Sequence, residues 1–431
     1  MIELAVLTNE QCGRFFPDEL LAEIRDRIYM VDYDTSGKRI YFENAGGAPT
    51  LKTICEAANT INQIPDFHNR PTPGARPLMA LVKNGIEDAK LIFGAKSGSI
   101  LADLTVSKSI FTMTGVIMKN VPGTNVVTTT LEHPSTHDAS LFFAQMLNKE
   151  FREAKIDRNT GCVDVGDLLS KIDQNTILLS IIHASNILGT VNDIKYIIQE
   201  ARKIKPDLYI LLDSTQHIPH GTVDVEDLQV DACAFAPYKI LGKRGLGIGW
   251  LGERVCRMPH PHFLQGAADD WDLGGYEPAG MAALSMIVDY VAWIGGHYSD
   301  STDRRALFVA GMDAINMHER AIMYRMLHGS AETPGVEDLP GVHLYFMDDL
   351  TKRDAILPFS IDGIEAADLA PKFIDNGIYV FNRSRSNKMS RRVLDGADIP
   401  NIIRVAPMHF HSRQDVDAFL SLTAKIAAGE L

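Results

Sequence analysis

The chain has 431 residues, of which 45% are hydrophobic and 23% are charged, and these ordinary globular values exclude a mainly disordered chain. Its 42 Lys and Arg against 55 Asp and Glu give a formal net charge of −13. This acidic balance argues against nucleic acid as the main partner, because phosphate binding requires a basic surface.

Signals for membranes, export and metals are weak. The apolar runs at 177–182 and 208–212 are far shorter than the ~20 residues of a membrane-spanning helix, and no basic segment follows Met1. We therefore expect no membrane partner and no secretory signal. The histidine pairs lack Cys or carboxylate partners at metal-binding spacings, so no metal site is expected. The cysteines never form a CxxC pair, which predicts a reducing cytoplasm; they are Cys12, Cys55, Cys162, Cys233 and Cys256.

The predicted elements fall into three regions along the chain. Residues 1–37 form an N-terminal segment that we expect to pack on a small domain. Residues 38–290 form a large α/β domain, in which short β-rich runs alternate with helical patterns, as in a mostly parallel sheet with helices on both faces. Residues 291–431 form the small α+β domain, with predicted helices at 366–376 and 413–427 and strands at 378–381 and 401–405.

The clearest unit of the large domain runs from Val191 to Asp213. Asn192 is a predicted N-cap, and the apolar residues that follow it recur at the spacing of one helix face. The continuous apolar run 208–212 is typical of a strand that is buried on both faces.

Four predicted strands of the large domain, at 125–130, 177–182, 208–212 and 231–235, lead into polar residues. Ligands of open α/β sheets bind outside the carboxyl ends of the strands. We therefore expect these polar side chains to lie at one rim of the sheet; they are His133, Asn186, Asp213 and Lys239.

Each rim residue has two interpretations. Lys239 is either a lysine that reaches solvent from a strand end or a desolvated amine that forms a Schiff base. Asp213 is either a helix N-cap or the counter-ion of a buried cation. His133 is either a hydrogen-bonded core histidine or a flat ring that stacks on a flat cofactor.

Five motifs, in chain order, resemble the class V aminotransferase superfamily of fold-type I pyridoxal phosphate enzymes, and within it the cysteine desulfurase-like branch. The motifs are Tyr41-Phe42-Glu43-Asn44-Ala45-Gly46-Gly47, Glu132-His133-Pro134-Ser135, His183-Ala184-Ser185-Asn186-Ile187-Leu188-Gly189-Thr190, Leu211-Leu212-Asp213-Ser214-Thr215-Gln216-His217 with Tyr238-Lys239 further on, and Ile403-Arg404-Val405.

The resemblance implies a role for each matching residue. Lys239 would form the internal aldimine with pyridoxal 5′-phosphate and then move protons at the substrate Cα, while Asp213 would keep the pyridinium nitrogen protonated. Arg404 would hold the substrate carboxylate, and Asn44 is a further predicted substrate contact. The remaining implied cofactor contacts are Gln216 at the ring hydroxyl, His133 on the ring face, Asn186 near the ring hydroxyl or the substrate, and Val106 and Ser107 at the phosphate.

The chain also departs from the family pattern. Many members have Ser-x-His before the lysine, whereas this chain has Ala236-Pro237-Tyr238, which leaves Tyr238 to donate a phosphate hydrogen bond. Gly275 stands where relatives supply a Thr from the partner subunit.

The segment 381–392 lies roughly where cysteine desulfurases carry their reactive Cys, and it contains no Cys. A persulfide mechanism needs a thiolate there, so we reject desulfurase activity by that route. The segment carries five basic residues, of which Arg383 or Arg385 is a candidate for binding a second anionic group of the substrate. The alternative is a solvated basic face or a dimer contact.

The resemblance therefore implies a homodimeric enzyme of amino-acid metabolism that uses pyridoxal 5′-phosphate, and the cysteine pattern predicts that it is cytoplasmic. It would form an external aldimine with a small amino-acid substrate and abstract the Cα proton for transamination or β-elimination. Racemisation or epimerisation shares these first steps and is an alternative reaction. A non-catalytic scaffold that kept the fold is an alternative from another class.

Overall fold

A computed structural model describes residues 10–65 and 70–431 of the chain. Residues 1–9 of the predicted N-terminal segment lie outside the described residues. The α-helices are Asp18–Asp26, Lys52–Ile61, Ala75–Phe93, Val106–Asn120, Pro134–Met146, Val165–Ser170, Ile194–Ile204, Val225–Leu228, Glu253–Cys256, Pro278–Gly295, Arg304–His328, Ala366–Ile374, Arg391–Ala397 and Arg413–Ala427. Short 3-10 helices lie at Glu10–Cys12, Asn44–Gly46, Pro237–Lys239, Val336–Asp338 and Leu350–Lys352.

A seven-stranded sheet forms the centre of the large domain. Its spatial order is Ser99–Asp103, Gly247–Leu251, Ala232–Phe235, Tyr209–Asp213, Thr176–Ile182, Asn125–Thr129 and Glu150–Ala154. All neighbouring strands are parallel except the two pairs made by Gly247–Leu251. Thr176–Ile182 is buried along its whole length, as expected of a strand whose sheet is covered by helices on both faces. The predicted α/β fold with a mostly parallel sheet is confirmed.

The small domain is built on an antiparallel sheet in the order Val342–Leu344, Leu357–Ile361, Ile402–Val405 and Phe381–Arg383. A separate parallel pair joins Ile378–Tyr379 to Ile40–Tyr41 of the N-terminal region. The predicted single strand 378–381 is therefore two short strands with different partners. The remaining strands are Tyr33–Asp34 and Gly37–Lys38, which form a small hairpin.

The helix Arg304–His328 links the packing of the two predicted domains. Phe308 and Met312 in its first half belong to the core under the large sheet, whereas Ile322 and Met326 in its second half belong to the core of the small sheet. The apolar side chains of Asp18–Asp26 also join the large core. The domain limits at 37 and 290 remain predictions, because packing is continuous across this helix.

The long apolar helix Pro278–Gly295 does not stand out as one apolar run in the sequence, because small and polar residues divide it into short runs. By length and composition it could cross a membrane, but 72% of it is buried inside the protein. A Cβ at Gly85 would lie 2.4 Å from the carbonyl oxygen of Met281, so Gly85 allows a neighbouring helix to approach closely. This is the environment of a core helix.

The cap predicted for the helix Ile194–Ile204 is wrong by one residue. Asp193 accepts the hydrogen bond from the Tyr196 N–H and caps the helix. The Asn192 side chain instead donates to the Ile182 carbonyl oxygen at 2.9 Å and accepts from the Val163 N–H at 2.9 Å. The amide of Asn192 is drawn to the sheet because it can satisfy a buried donor and a buried acceptor there, which the Asp193 carboxylate cannot do.

Candidate active site

A cavity of about 280 Å³ lies at the carboxyl edge of the central sheet. All four predicted strand-end residues line it, which the alternation of strands and helices allowed the sequence to anticipate. The lining residues are Leu104, Thr105, Val106, Ser107, His133, Ser135, Ile182, Asn186, Asp213, Thr215, Gln216, Tyr238, Lys239, Arg244, Gly245 and Leu246.

Lys239 closes the short helix Pro237–Lys239 after the strand Ala232–Phe235, and its side chain is buried. Its Nζ donates a hydrogen bond to Gln216 Oε1 at 3.0 Å. Burial, followed by the nearby positive charge of Arg404, lowers the pKa of Lys239 to about 8. The amine is thus neutral in a larger fraction of molecules near neutral pH than an ordinary lysine, and the neutral state is the one required of a nucleophile.

Asp213 is the last residue of the strand Tyr209–Asp213 and is also buried. Thr136 Oγ1 donates to its Oδ2 at 2.9 Å, and the Thr215 N–H donates to its Oδ1 at 3.1 Å. These two donors fix the carboxylate in the wall of the cavity without neutralising its charge. Asp213 is the N-cap of none of the described helices, and its role as the counter-ion of a buried cation stays a prediction.

His133 has both a local and a cavity role. Its Nδ1 accepts from the Ser135 N–H at 3.2 Å and caps the helix Pro134–Met146, while the residue lines the cavity. Burial lowers the pKa of His133 to about 4, so the ring is neutral at physiological pH. A neutral ring held by a cap is rigid and flat, which suits it for stacking.

The phosphate end of the predicted site is the start of the helix Val106–Asn120. Val106 and Ser107 line the cavity as its first residues, whose N–H groups have no partner inside the helix. Tyr238 and Arg244 also line the cavity, and the Arg244 guanidinium lies over the Tyr238 ring at 4.7 Å from the centroid. Arg244 adds a positive charge to the cavity wall.

Arg244 is not among the predicted site residues; it lies in a glycine-rich stretch, 242–249, that lacks the spacing of a dinucleotide-binding motif and leads into a strand. Its position depends on Gly47, whose φ of +148° favours glycine and whose added Cβ would lie 2.1 Å from Arg244 Nη2. Nothing in the local sequence of either residue indicates this long-range contact. Thr136 and Thr215 were also missed, although both lie beside predicted site residues.

Arg404 and Arg383 lie together beyond Asn186, outside the immediate cavity lining. Arg404 is fully buried and donates to the Asn186 carbonyl oxygen and to Glu43 Oε1. Arg383 Nη2 donates to the same Glu43 oxygen at 2.9 Å. A Cβ at Gly46 would lie 2.7 Å from Glu43 Oε1, so the glycine leaves room for this cluster. The arginine predicted to hold the substrate carboxylate is already paired with an internal carboxylate.

Three other predicted residues lie away from the cavity lining. Asn44 Nδ2 donates to the Tyr41 and Ala406 carbonyl oxygens at 2.9 and 2.8 Å, which ties the N-terminal region to the small domain. The Gly275 N–H donates to Asp272 Oδ1. Arg385 is half-exposed and pairs with Asp395 and Asp398. Substrate roles for Asn44 and Arg385, and a cofactor role for Gly275, remain predictions.

Metal binding has no support in the part of the chain that the structure describes. Within residues 10–65 and 70–431, no group of three or more His, Cys, Asp or Glu side chains is arranged to hold an ion. The five cysteines are free, and none of them lines the cavity.

The fold is that of solved cysteine desulfurases. The structure matches the apo cysteine desulfurase from Thermococcus onnurineus over 97% of this chain and 100% of that chain, with a TM-score of 0.80 at 19% identity. The cysteine desulfurase CsdA from Escherichia coli is matched over the same shares with a TM-score of 0.78 at 17% identity.

Sequence comparison gives the family. The profile described as aminotransferase class-V matches residues 40–419, and the chain belongs to this family. It is 23% identical to the aminotransferase-like protein FGM3 of Gibberella zeae, covering 89% of this chain and 93% of that protein. It is 28% identical to a probable cysteine desulfurase of Halobacterium salinarum, covering 70% of this chain and 69% of that protein.

The residues present fit the cofactor of this family. The cavity offers a buried amine of lowered pKa to an aldehyde, and a buried carboxylate to a pyridinium nitrogen. The lining also includes a helix start, a tyrosine and an arginine, which are groups that bind phosphate.

Proposed function

We propose that the protein is a pyridoxal 5′-phosphate-dependent enzyme that labilises the Cα proton of a small amino acid, for transamination or β-elimination. The observation that carries this proposal is the burial of Lys239 and Asp213 in one cavity. Lys239 Nζ donates to the neutral amide of Gln216 and takes part in none of the ion pairs among the described residues. An amine that only served structure would be expected to have an ionic partner at this depth.

Each residue of the cavity would have a separate role. When bound, the cofactor supplies an electron sink that weakens the bonds at the substrate Cα. Lys239 would hold the cofactor covalently and then accept and return the Cα proton, for which its lowered pKa suits it. Asp213 would stabilise a positive ring nitrogen, and the neutral ring of His133 would cover one face of the cofactor.

The phosphate would be held by Val106 and Ser107 at the helix start and by Tyr238. Arg244 would replace the charge and hydrogen bonds that relatives obtain from the Ser-x-His before the lysine. Asn186 and Gln216 would bind the ring hydroxyl side, and Arg404 the substrate carboxylate, with Arg383 available to a second anionic group.

We also propose that the protein does not use the persulfide route of cysteine desulfurases. The segment 381–392 carries no Cys, and the strand Phe381–Arg383 within it presents Arg383 to Glu43 instead. Burial raises the pKa of the Cys233 thiol to about 12, so this core cysteine is no substitute nucleophile.

A homodimer in the cytoplasm remains part of the proposal. Phe263, Leu264 and Leu273 are exposed to 59%, 99% and 60% in the stretch that leads to Gly275, and Leu104 is exposed to 65% at the cavity. Such apolar exposure favours a second copy of the chain as its cover. Light scattering on the purified protein measures the expected doubled mass.

Reductive labelling tests the proposed function. The protein is incubated with pyridoxal 5′-phosphate, reduced with borohydride and digested for mass spectrometry, and the adduct is expected on Lys239. Lys239→Ala should lose the adduct, whereas Lys243→Ala, which removes a lysine paired with Glu277, should keep it. A protein that stays colourless and unlabelled would instead be a scaffold.

The reaction type is tested on a panel of amino acids. A keto acid released with ammonia and without an added acceptor indicates β-elimination. A keto product that forms only when a keto acid acceptor is present indicates transamination. Inversion at Cα without a keto product indicates racemisation, the alternative reaction.

A further inference from the structure

A buried hydrogen-bonded chain extends from Lys239 into the protein, away from the cavity. Gln216 Oε1 accepts from Lys239 Nζ, and Gln216 Nε2 lies 3.1 Å from His220 Nε2. His220 Nδ1 lies 2.7 Å from Glu319 Oε2. His220 and Glu319 are 3% and 2% exposed, and neither has a role in the chemistry described above.

The directions of these hydrogen bonds follow from the atoms involved. An amide oxygen only accepts and an amide nitrogen only donates, so the orientation that accepts from Lys239 Nζ turns the Gln216 NH₂ group toward His220. His220 Nε2 must then carry a lone pair. Its single proton is on Nδ1, where it is donated to the Glu319 carboxylate. This arrangement therefore requires a neutral His220.

A bound cofactor would require the opposite orientation of the Gln216 amide. An ionised ring hydroxyl oxygen only accepts, so Gln216 has to present its NH₂ group to the cavity and its Oε1 to His220. That orientation needs a proton on His220 Nε2 in addition to the one on Nδ1. We infer that His220 and Glu319 are positioning residues, and that His220 takes up a proton from solvent as the cofactor binds and thereby holds the Gln216 amide as a donor. This inference rests on the proposed function.

The surroundings of His220 can stabilise a second proton on its ring once the Gln216 amide has turned. Glu319 contacts it from the helix Arg304–His328, Asp354 acts from the segment before Leu357–Ile361, and Lys239 opposes them from the cavity side. His409 lies 3.8 Å from the other oxygen of Glu319, and His217 is one turn earlier in the chain. Burial disfavours the charge, but Glu319 and Asp354 together outweigh it, and the pKa of His220 lies above its usual range. Although burial acts in the opposite direction, His220 holds the pKa of Glu319 at about 2, so the carboxylate stays ionised.

Proton counting by calorimetry tests the inference on the full-length apoprotein. Pyridoxal 5′-phosphate is titrated in buffers of different ionisation enthalpy at about pH 8.5, and the wild type is expected to take up about one proton more per site than His220→Gln. Glutamine can still bond to Gln216 but cannot hold the proton. Contributions from Lys239 and the cofactor are common to both proteins and cancel in the difference.

His217→Gln is the matched control. His217 pairs with Asp354 through Nδ1 at 3.0 Å, as His220 pairs with Glu319, but it makes no hydrogen bond to Gln216 among the described contacts. This variant should give the wild-type proton count. If His220→Gln does not fold, Glu319→Gln takes its place and should lower the count by the same amount.

Each outcome decides between the inference and its alternatives. Equal proton counts in wild type and His220→Gln, with cofactor bound to both, overturn the inference and leave the proposed function standing. The absence of any cofactor binding to the wild type overturns both. A count lowered in His220→Gln and unchanged in His217→Gln supports the inference, because a merely structural histidine would not change the proton stoichiometry.

Discussion

The two ends of the site differ in how their charges are satisfied. At the lysine end, Lys239, Asp213 and Gln216 line the cavity, and the hydrogen bonds they make leave the charge of Asp213 available to a ligand. At the arginine end, Arg404 and Arg383 share the carboxylate of Glu43, and Arg404 is fully buried.

The charge at the lysine end is open to a ligand, whereas a ligand at the arginine end has to displace Glu43 from its ion pairs. A cofactor that enters the lysine end meets Lys239 and Asp213 already in place, and only the Gln216 amide has to turn. A substrate carboxylate at the arginine end has to compete with Glu43 for the guanidinium groups. We therefore expect the two ends to respond in opposite ways when an acid is removed.

The largest effect is expected when Asp213→Asn breaks the lysine end. A neutral amide cannot stabilise a protonated ring nitrogen, so the turnover rate should fall by roughly 10² to 10³. Borohydride labelling of Lys239 should persist, which separates lost chemistry from lost binding.

Thr136→Val is the control for this change, since it removes one hydrogen bond to Asp213 but keeps the charge. A single buried hydrogen bond corresponds to roughly a fivefold loss in rate. If Asp213→Asn were no slower than Thr136→Val, the carboxylate would have no electrostatic role.

A smaller effect is expected for Arg244→Ala at the phosphate end. A charge-assisted hydrogen bond to phosphate corresponds to an affinity loss of about 10- to 100-fold, measured by titration of the apoprotein with pyridoxal 5′-phosphate. Lys243→Ala removes the same charge from the neighbouring residue, which pairs with Glu277 outside the cavity. Equal losses in the two variants would mean that Arg244 acts only through net charge.

Glu43→Gln tests the arginine end and should strengthen substrate binding. Removing the competing charge should lower KM by roughly 3- to 10-fold, because both guanidinium groups become available to the substrate carboxylate. Thermal unfolding should occur at a lower temperature, since two buried cations lose their shared counter-ion.

Glu277→Gln is the control for Glu43→Gln, because it removes an acid that pairs with Lys243 away from the arginine cluster. It should leave KM unchanged. An increase of KM in Glu43→Gln would show that Glu43 holds Arg404 in position rather than competing for it.

Only part of the site could be predicted from the sequence. The rim residues His133, Asn186, Asp213 and Lys239 were predictable because burial and local periodicity define where strands end, and the topology brings those ends together. The pair Glu43–Arg404 joins residues 361 positions apart, and His220–Glu319 joins residues 99 apart. No local pattern encodes such contacts. Gly46 and Gly47 look like turn residues in the sequence, and only the packing shows that they make room for Glu43 and Arg244.

The smallest expected effect, a shift in a pH midpoint, connects the two ends. Covalent attachment of the cofactor needs a neutral Lys239, so its rate in the wild type should rise with pH and level off near the pKa of about 8. With an ordinary lysine the rate would level off only near about pH 10.4.

Asp213 and Glu43 both act to raise the pKa of Lys239, against burial and Arg404. Asp213→Asn and Glu43→Gln should therefore each move the midpoint to lower pH, although they change substrate turnover and KM in different ways. Rapid mixing of apoprotein with pyridoxal 5′-phosphate across pH measures this midpoint. A wild-type midpoint near that of free lysine would show that the amine is not desolvated, whereas a shift in only one variant would show that the two ends are electrostatically separate.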